Sequence, residues 1–264
     1  MSTLQSEIIK AIKDMKSKSP LVHNITNYVV MQITANALLA VGASPVMTFE
    51  KEEFEDMLSI ASSLVINIGT LTQISIDAMH KACETANKKN VPFVLDPVGA
   101  GATKLRTKTA IDIIKNYNPK VIRGNASEIM SLAGDSVKTK GVDSTVNVNM
   151  AIEAGIHLAK EYNTVVSISG ETDIITDSSK VLYISGGSDL MPINTGMGCT
   201  SSAITGAMIA VSEPLIAAAS AMCIMASCGE KASKKAEGPA SFSIAFIDEL
   251  YKLDINDASN RVRE

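Results

Sequence analysis

The sequence predicts a doubly wound α/β fold, in which helices cover both faces of a mostly parallel sheet. Short, nearly continuous apolar runs alternate with helix-length periodic segments, and such runs are typical of parallel strands buried on both faces. No repeat, low-complexity tract or composition break interrupts this alternation over the 264 residues. The composition, 46% apolar and 20% charged, is that of a globular chain long enough to bury a large core. We therefore expect a single domain over residues 1–264.

The predicted strands are short β-type runs that end in polar or glycine residues. They are SPVMT (44–48), SLVINIG (63–69), VPFVLDP (91–97), KVIRGN (120–125) and TVVSISG (164–170). Residues 173–185 differ, since two alternating runs flank Ser178-Ser179, and this pattern predicts an antiparallel hairpin at one end of the sheet. Helical periodicity covers 3–16, 26–41, 51–60, 72–89, 104–117, 126–133, 147–162, 199–211, 214–235 and 239–252. The polar residues 254–264 are expected to form a frayed tail.

Composition excludes several classes of function. A net charge of −4 and an aromatic content of 4%, without Trp, argue against a nucleic-acid partner, which favours a basic face or aromatic stacking platforms. The four cysteines are scattered and show no zinc-site spacing. The N-terminal segment lacks the apolar run of a signal peptide, and the longest apolar run, 215–228, is too short for a bilayer. We expect a soluble cytoplasmic protein.

Acidic and basic residues follow two neighbouring predicted strands. Asp96 is followed by a glycine-rich turn whose spacing matches neither GxGxxG nor a P-loop, and Asp96 could also simply cap that turn. Arg123 ends the next strand, where a planar cation suits a phosphate. Asn125 and Glu128 have the spacing of a capping box, which alone explains both residues. The functional alternative is that Glu128 and Asp96 face one crevice and hold a hydrated Mg²⁺.

The segment from Asn194 to Ala203 (NTGMGCTSSA) is the most informative in the chain. Gly196 and Gly198 allow a ligand to approach the backbone closely, and a helix then begins whose free N–H groups favour an anion. At such a helix start Cys199 is expected to have a lowered pKa and to be reactive. The alternative is that Cys199 is a small buried residue.

The remaining cysteines and histidines are predicted to be mainly structural. Cys83, Cys223 and Cys228 lie within apolar helical patterns and are expected in the core. His80 and His157 are expected on helix surfaces or with satisfied partners. His23 stands in PLVHNITNYVV, where closely spaced polar residues lead into a helix and could face a ligand.

These segments together resemble hydroxyethylthiazole kinases, a thiamine-salvage family of the ribokinase-like superfamily. The resemblance covers PLVHNITNYVV, ASPVMT, LVINIGTL, VLDPVGAGAT, IRGNASEI, SISGETD and NTGMGCTSSA, in the family's order. It implies a three-layer α/β/α fold with a terminal antiparallel hairpin and no separate lid domain. It also implies transfer of the γ-phosphoryl group of ATP to the primary hydroxyl of 4-methyl-5-(2-hydroxyethyl)thiazole with Mg²⁺, in a homotrimer whose active sites lie between subunits.

The same resemblance assigns roles to single residues. It implies that the thiazole alcohol contacts Met47 and Gly196, with Asn27 and Gly69 as further pocket residues. It places Arg123 and Ser169 against ATP. The implied roles of the remaining site residues are Asn125 and Glu128 as the NxxE element of the Mg²⁺–phosphate network, and Gly196, Gly198 and Cys199 as the catalytic anion hole. Most superfamily kinases carry Asp where this chain has Cys199, and many relatives carry Thr in place of Ser169.

Other functions remain open at this stage. The same fold could phosphorylate another vitamin-precursor alcohol, of the hydroxymethylpyrimidine or pyridoxal type, or act as a nucleotide-dependent dehydratase. A cysteine hydrolase using Cys199 with His23 would need the two side chains to meet. A non-catalytic small-molecule binding module is the last alternative.

Overall fold

The protein is built around a nine-stranded sheet in the order β2-β1-β3-β4-β5-β6-β7-β8-β9. The structure is a computed structural model that describes residues 2–134 and 144–264, apart from the side chains of 144–147. The strands are β1 (Leu21–Ile25), β2 (Ser44–Val46), β3 (Ser63–Asn67), β4 (Phe93–Asp96), β5 (Val121–Asn125), β6 (Val165–Ser169), β7 (Thr172–Thr176), β8 (Val181–Ser185) and β9 (Val262–Arg263). Strands β1 to β6 pair in parallel, and β7, β8 and β9 are antiparallel.

Helices cover both faces of this sheet. They are α1 (Thr3–Lys18), α2 (Met31–Val41), α3 (Phe54–Ile60), α4 (Gln73–Lys88), α5 (Lys104–Tyr117), α6 (Ala126–Ala133), α7 (Ser144–Tyr162), α8 (Met197–Ile209), α9 (Pro214–Ser233), α10 (Pro239–Tyr251) and α11 (Ile255–Ser259). One apolar core contains residues of α1, α2, α8, α9, α10 and α11, and a second contains residues of α3 to α7. Strand β3 contributes Val65 to the first core and Leu64 and Ile66 to the second, as side-chain alternation along a strand requires. The predicted three-layer α/β/α architecture with a mostly parallel sheet is therefore confirmed.

The hairpin and five of the parallel strands were predicted to within two residues at each end, but β1 was missed. The prediction of a helix over 26–41 was too long at its start, because α2 begins at Met31. His23 and Asn24 interrupt the apolar pattern of β1, yet both are fully buried. Asn24 Nδ2 donates to the Val22 carbonyl at 2.9 Å, and His23 Nε2 lies 3.0 Å from the Thr48 carbonyl. These local partners let polar residues occupy a buried strand.

The prediction of a frayed tail over 254–264 was wrong. Asp254 caps α11 by accepting hydrogen bonds from the backbone N–H groups of Asn256 and Asp257. The segment then adds β9 to the edge of the sheet beside β8. Ala258 and Val262 are buried in the first core, and Asp257 accepts a hydrogen bond from Ser227 of α9, so apolar and polar contacts together fix a segment that is polar on average.

Helix α9 has the length and mean hydropathy that a membrane-spanning helix needs, but its position in the fold explains its composition. Of its most apolar 18-residue window, 78% is buried inside the protein. The helix packs against α8 and α10 and against the antiparallel strands. A central helix of an α/β/α fold is apolar around its whole circumference for this reason.

Candidate active site

The ends of the six parallel strands lie along one edge of the sheet. Strand β4 ends at Asp96, β5 at Asn125 and β6 at Ser169, while Met47, Asn27 and Gly69 follow the ends of β2, β1 and β3. In the order β2-β1-β3 the strand order reverses between β1 and β3, and the crevice at such a topological switch point is the usual ligand site of an open α/β sheet. All predicted site residues therefore lie at this edge or at the start of α8.

A cavity of about 850 Å³ opens at this edge. One wall consists of strand-end residues, including Asp96, Arg123 and Ser169. The rest of the lining comes from the loop over 186–196 and from the first residues of α8, including Cys199. The residues Met47, Asn27 and Gly69 are not part of this wall. The cavity is thus the nucleotide-sized half of the predicted site.

The first turn of α8 presents free backbone donors to the cavity. Thr200 N is the first to bond within the helix, to the Gly196 carbonyl at 2.8 Å, and no described side chain caps the helix. The N–H groups of residues 197–199 are therefore available to a ligand. Gly196 has φ of +90°, and a Cβ there would meet Val30 and Ile33 at 3.1 Å, so glycine is required at this position. This geometry is that of an anion site.

Arg123 adds a buried positive charge to the same wall. Its side chain is only 6% exposed, and its Nη2 donates to Ser169 Oγ at 2.5 Å. Its Nε has no hydrogen-bond partner, and no ion pair to Arg123 is found among residues 2–134 and 144–264. A buried guanidinium without a bound counter-charge is costly, so this arrangement favours an anionic ligand.

Asp96 is the buried acid of the site. Its Oδ2 accepts hydrogen bonds from Ser202 Oγ and Asn67 Nδ2, both at 2.7 Å, while its Oδ1 has no partner. Burial raises the pKa of this carboxyl to about 6, and the nearby Arg123 opposes the rise. Asp96 is therefore ionised at neutral pH and has one free oxygen. Asp96 does not cap the turn that follows it, because its hydrogen bonds come from the side chains of Asn67 and Ser202.

Asn125 and Glu128 form the capping box that their spacing predicted. Asn125 Oδ1 accepts from Glu128 N at 3.0 Å, and Glu128 Oε2 accepts from Asn125 N at 2.8 Å. Glu128 Oε1 accepts from Gly99 N at 2.8 Å, which ties the glycine-rich turn to α6. Both residues also line the cavity. Capping and a part in a metal–phosphate network are thus compatible for Glu128, with both oxygens already accepting one backbone hydrogen bond.

Cys199 lies where the cavity meets the other half of the site, and its chemistry differs from the expectation. Burial, and after it the carboxylate of Asp96, raise the pKa of its thiol to about 11, against the opposing effect of the neighbouring Asn67 and Asn27 amides and of the Arg123 charge. The expected lowering by the helix N-terminus was wrong, because desolvation of the thiolate and the Asp96 charge outweigh it. The thiol is protonated at neutral pH.

The predicted acceptor-side residues meet next to Cys199. Asn27 Nδ2 donates to Cys199 Sγ at 3.5 Å and to Asn67 Oδ1 at 2.9 Å. Gly69 packs so tightly on Asn27 that a Cβ would lie 2.6 Å from it. Met47 directly follows the edge strand β2 and is half-buried. The structure thus joins Asn27, Gly69 and Cys199 and places Met47 at the same sheet edge.

Several site residues were missed in the sequence. Asn67 and Ser202 hold Asp96. Arg106 donates to the carbonyls of Val98 and Gly69, at 2.7 and 2.5 Å, and so joins two loops of the site. Asp173 lines the cavity, and burial raises its pKa to about 6. Asn67 and Asp173 could have been found from their position at the polar end of an apolar run. Arg106 could not, because it occupies an ordinary position of an amphipathic helix.

The other cysteines and histidines are structural, as predicted. Cys83, Cys223 and Cys228 are buried. His80 contacts the hydroxyl of Tyr117, and His157 lies 2.9 Å from Glu161.

His23 is buried against Phe54 and bonded to the Thr48 carbonyl, and it is not among the cavity-lining residues. A hydrolase that uses Cys199 with His23 therefore has no support in the geometry.

Comparison with known proteins decides the family. Residues 12–256 match the model of the hydroxyethylthiazole kinase family. The chain is 88% identical to a hydroxyethylthiazole kinase of Brachyspira hyodysenteriae, over the whole length of both. This chain belongs to the hydroxyethylthiazole kinase family. ATP-dependent phosphorylation of the thiazole alcohol is the function of that family, and the chain is accordingly a kinase.

Solved structures agree with membership of the hydroxyethylthiazole kinase family. A hydroxyethylthiazole kinase from Pyrococcus horikoshii has 42% sequence identity and a TM-score of 0.91, with 98% of each chain covered. A pyridoxal kinase from Staphylococcus aureus, in complex with AMP-PCP and pyridoxal, has a TM-score of 0.60 at 20% identity, with 80% of this chain and 88% of that chain covered. The second likeness shows the fold alone.

Proposed function

We propose that the chain transfers the γ-phosphoryl group of ATP to the primary hydroxyl of 4-methyl-5-(2-hydroxyethyl)thiazole in a site centred on Cys199. The supporting observation is the position of Cys199. On one side of it lie the free N–H groups of α8 and the buried Arg123. On the other side lie Asn27 and Gly69. A phosphate-binding half and a neutral acceptor half thus meet at one residue.

The nucleotide occupies the cavity in this proposal. Arg123 and Ser169, already joined by a hydrogen bond, bind its phosphates, and Asn125 contributes from the end of β5. Phosphoryl transfer needs mainly alignment and neutralisation of charge on the transferred group. The N–H groups at Gly198 and Cys199 supply that neutralisation without reorganising, because the helix fixes them in place.

Mg²⁺ fits the acidic groups of this wall. Among the described residues no cluster of three His, Cys, Asp or Glu side chains could hold a metal by itself, and Mg²⁺ commonly uses one or two carboxylates together with phosphate oxygens and water. The free Oδ1 of Asp96 is a suitable ligand, and Glu128, whose oxygens already accept backbone hydrogen bonds, would act through water. The ion would screen the phosphate charges and help to align the nucleotide.

The acceptor alcohol occupies the other half of the site. Met47 provides a soft apolar contact for the thiazole ring, and Gly196, Asn27 and Gly69 surround the hydroxyethyl group. The protonated Cys199 does not act as a strong base at neutral pH. A loose transition state lets the alcohol lose its proton late, so no strong base is required.

The assembly and location of the enzyme complete the proposal. We place the site in a homotrimer of single-domain chains in the cytoplasm, with active sites between subunits. Support comes from Tyr28, Val29 and Ile193, large apolar side chains that are more than 60% exposed beside Asn27 and before Gly196. Four free cysteines fit a reducing compartment. Light scattering in solution should give three times the mass of the chain.

The test is a coupled ADP-release assay with ATP and Mg²⁺. The thiazole alcohol is compared with a hydroxymethylpyrimidine and with pyridoxal, and mass spectrometry identifies the phosphate ester. We expect the thiazole alcohol to have by far the highest kcat/KM. Faster turnover of another alcohol would assign a different substrate, and ADP release without any phosphate ester would indicate dehydratase or uncoupled ATPase chemistry.

A further inference from the structure

Asn67, the last residue of β3, connects three segments of the site. Its Oδ1 accepts hydrogen bonds from Gly69 N at 3.0 Å and from Asn27 Nδ2 at 2.9 Å, and its Nδ2 donates to Asp96 Oδ2 at 2.7 Å. The residue is 1% exposed and lies in register with Asp96 on the neighbouring strand. Asn67 therefore joins the acceptor half of the site to the phosphate half.

The direction of these hydrogen bonds is fixed by backbone groups. Gly69 N can only donate, so the atom of Asn67 that faces it must be the oxygen, and the amide nitrogen must face Asp96. Val29 N donates to Asn27 Oδ1 at 3.1 Å in the same way. The nitrogen of Asn27 is thereby turned towards both Asn67 Oδ1 and Cys199 Sγ.

This directionality determines what Cys199 can do. Its sulfur accepts a hydrogen bond from Asn27, so its own proton must point in another direction. Cys199 forms part of the cavity wall, and no hydrogen bond donated by its thiol is found among the described residues. The open direction for the S–H group is the cavity, where the reacting oxygens meet in the proposed reaction.

We propose that Asn67 is a positioning residue that, by holding Asn27 with its amide nitrogen towards Cys199 Sγ, directs the Cys199 S–H group at the reacting oxygens. The series of hydrogen bonds runs from Asp96 through Asn67 and Asn27 to Cys199. Asp96 is held in place at its far end, because its Oδ2 also accepts from Ser202 in the first turns of α8. The inference rests on the proposed function for the identity of the reaction, and on the described contacts for the orientation.

Steady-state kinetics of Asn67→Ala test the role in catalysis. Loss of one oriented hydrogen bond predicts a fall in kcat of up to about five-fold, no more than removal of Cys199 itself, and a higher KM for the alcohol, with KM for ATP changed less than two-fold. Asn27→Ala should have a similar effect. The double variant should be little worse than either single variant, because both changes interrupt the same series of hydrogen bonds. Asn24→Ala controls for lost stability, because it removes a buried asparagine of the neighbouring strand whose side chain donates to the Val22 carbonyl, and it should stay within two-fold of wild type.

Asn67→Asp is the second variant in case the alanine variant does not fold. It keeps the oxygen that accepts from Asn27 and Gly69 and loses only the amide donor to Asp96. We expect its KM for the alcohol to stay within about two-fold of wild type while kcat falls, because a carboxyl group now stands beside Asp96. Alanine variants of Asn67 that match Asn24→Ala in kcat and in alcohol KM, or fully additive effects of Asn67 and Asn27, would overturn the proposal.

Alkylation of Cys199 gives a readout that does not depend on turnover. Iodoacetamide labelling is followed by peptide mass spectrometry, which separates Cys199 from the three buried cysteines. Asn67→Ala and Asn27→Ala should slow labelling at pH 9 by the same factor, because Asn27→Ala removes the donor that stabilises the thiolate and Asn67→Ala removes the acceptor that holds this donor in place, while Asn24→Ala should not. If the wild type makes no thiazole phosphate, the proposed function fails and this measurement still decides the role of Asn67. Labelling of Asn67→Ala at the wild-type rate would refute it.

Discussion

The guanidinium of Arg123 lies directly against the backbone of Gly198, so that a Cβ added to Gly198 would stand 2.7 Å from Arg123 Nη1. The two residues come from different elements, the middle of β5 and the first turn of α8. Their contact brings a buried cation and free N–H groups to one point. A single methyl group placed between them therefore tests whether this point binds the phosphates.

Gly198→Ala should impair nucleotide use while leaving the fold intact. The added methyl group forces the guanidinium away from the helix start, because a 2.7 Å contact is too short for these atoms. We expect kcat/KM for ATP to fall at least about ten-fold, with a smaller change in KM for the alcohol. Gly238→Ala, where nothing lies within 4 Å of the new Cβ, is the matched control. Equal kinetics in the two variants would contradict the phosphate assignment.

Ser169 should be replaceable by Thr but not by Ala. Its hydroxyl accepts the hydrogen bond from Arg123 Nη2, and Ser169→Ala leaves a second nitrogen of a buried guanidinium unpaired. The expected result is a rise of about three- to ten-fold in KM for ATP, the size of one hydrogen bond to a charged group. Ser169→Thr keeps the hydroxyl and should stay within two-fold in the same titration. A threonine variant as impaired as the alanine variant would show that size, and not the hydroxyl, matters here.

Cys199→Ala should retain turnover. Because burial raises the pKa of the thiol to about 11, Cys199 is not a base at neutral pH, and its removal costs about one hydrogen bond, or roughly five-fold in kcat. The variant should also show the same kcat profile between pH 7 and 9 as the wild type. Loss of all detectable turnover, with ATP and the thiazole alcohol still bound in calorimetry, would contradict this.

The carboxyl edge of the sheet was the most predictable part of the site. Parallel strands end at the same edge, so Asp96, Asn125 and Ser169 could be placed together once the apolar runs were recognised as strands. The helix start at Gly196 could also be predicted, because a pair of glycines before a helix is a distinctive local pattern. These predictions needed only the period of the pattern and the residue that follows each run.

What could not be predicted depends on contacts between distant segments. Two partners of the Asn67 side chain, Asp96 and Asn27, are 29 and 40 residues away, and no local pattern indicates them. Strand β1 was missed because His23 and Asn24 take their partners from tertiary structure and from their own backbone. The pKa of Cys199 was expected to fall, since a helix start is visible in the sequence, whereas its burial and the approach of Asp96 are not.

Asp96→Asn should stabilise the protein at neutral pH and abolish its activity. The folded pKa of Asp96 is about 6, above its ordinary value of 3.8, and burial is the main cause. The raised pKa favours the folded state below pH 3.8, and this contribution is lost as the pH rises through 6. Removing the charge should therefore raise the free energy of unfolding at pH 7.5 by up to about 3 kcal/mol and change it little at pH 4.

Thermal unfolding of Asp96→Asn at pH 4 and at pH 7.5 is the measurement for this prediction. Asp248→Asn, which removes one exposed carboxylate, controls for net charge. A gain in stability that is the same at both pH values would show that burial of the charge is not its source. Retained kinase activity in Asp96→Asn would remove Asp96 from the proposed metal–phosphate network.

Arg261→Gln should weaken both the C-terminal segment and nucleotide binding. Arg261 pairs with Glu230, bonds both oxygens of Asp257 at 3.2 Å, and supports Gly186, where a Cβ would lie 2.9 Å from its Nη1. Because Gly186 lines the cavity, we expect KM for ATP to rise about three-fold and the free energy of unfolding to fall by about 1–2 kcal/mol. Arg263→Gln removes an exposed arginine that bonds Ser185 on the same strand pair and should change neither quantity measurably. An Arg261 variant that loses stability with an unchanged KM for ATP would limit the C-terminal segment to a role in folding.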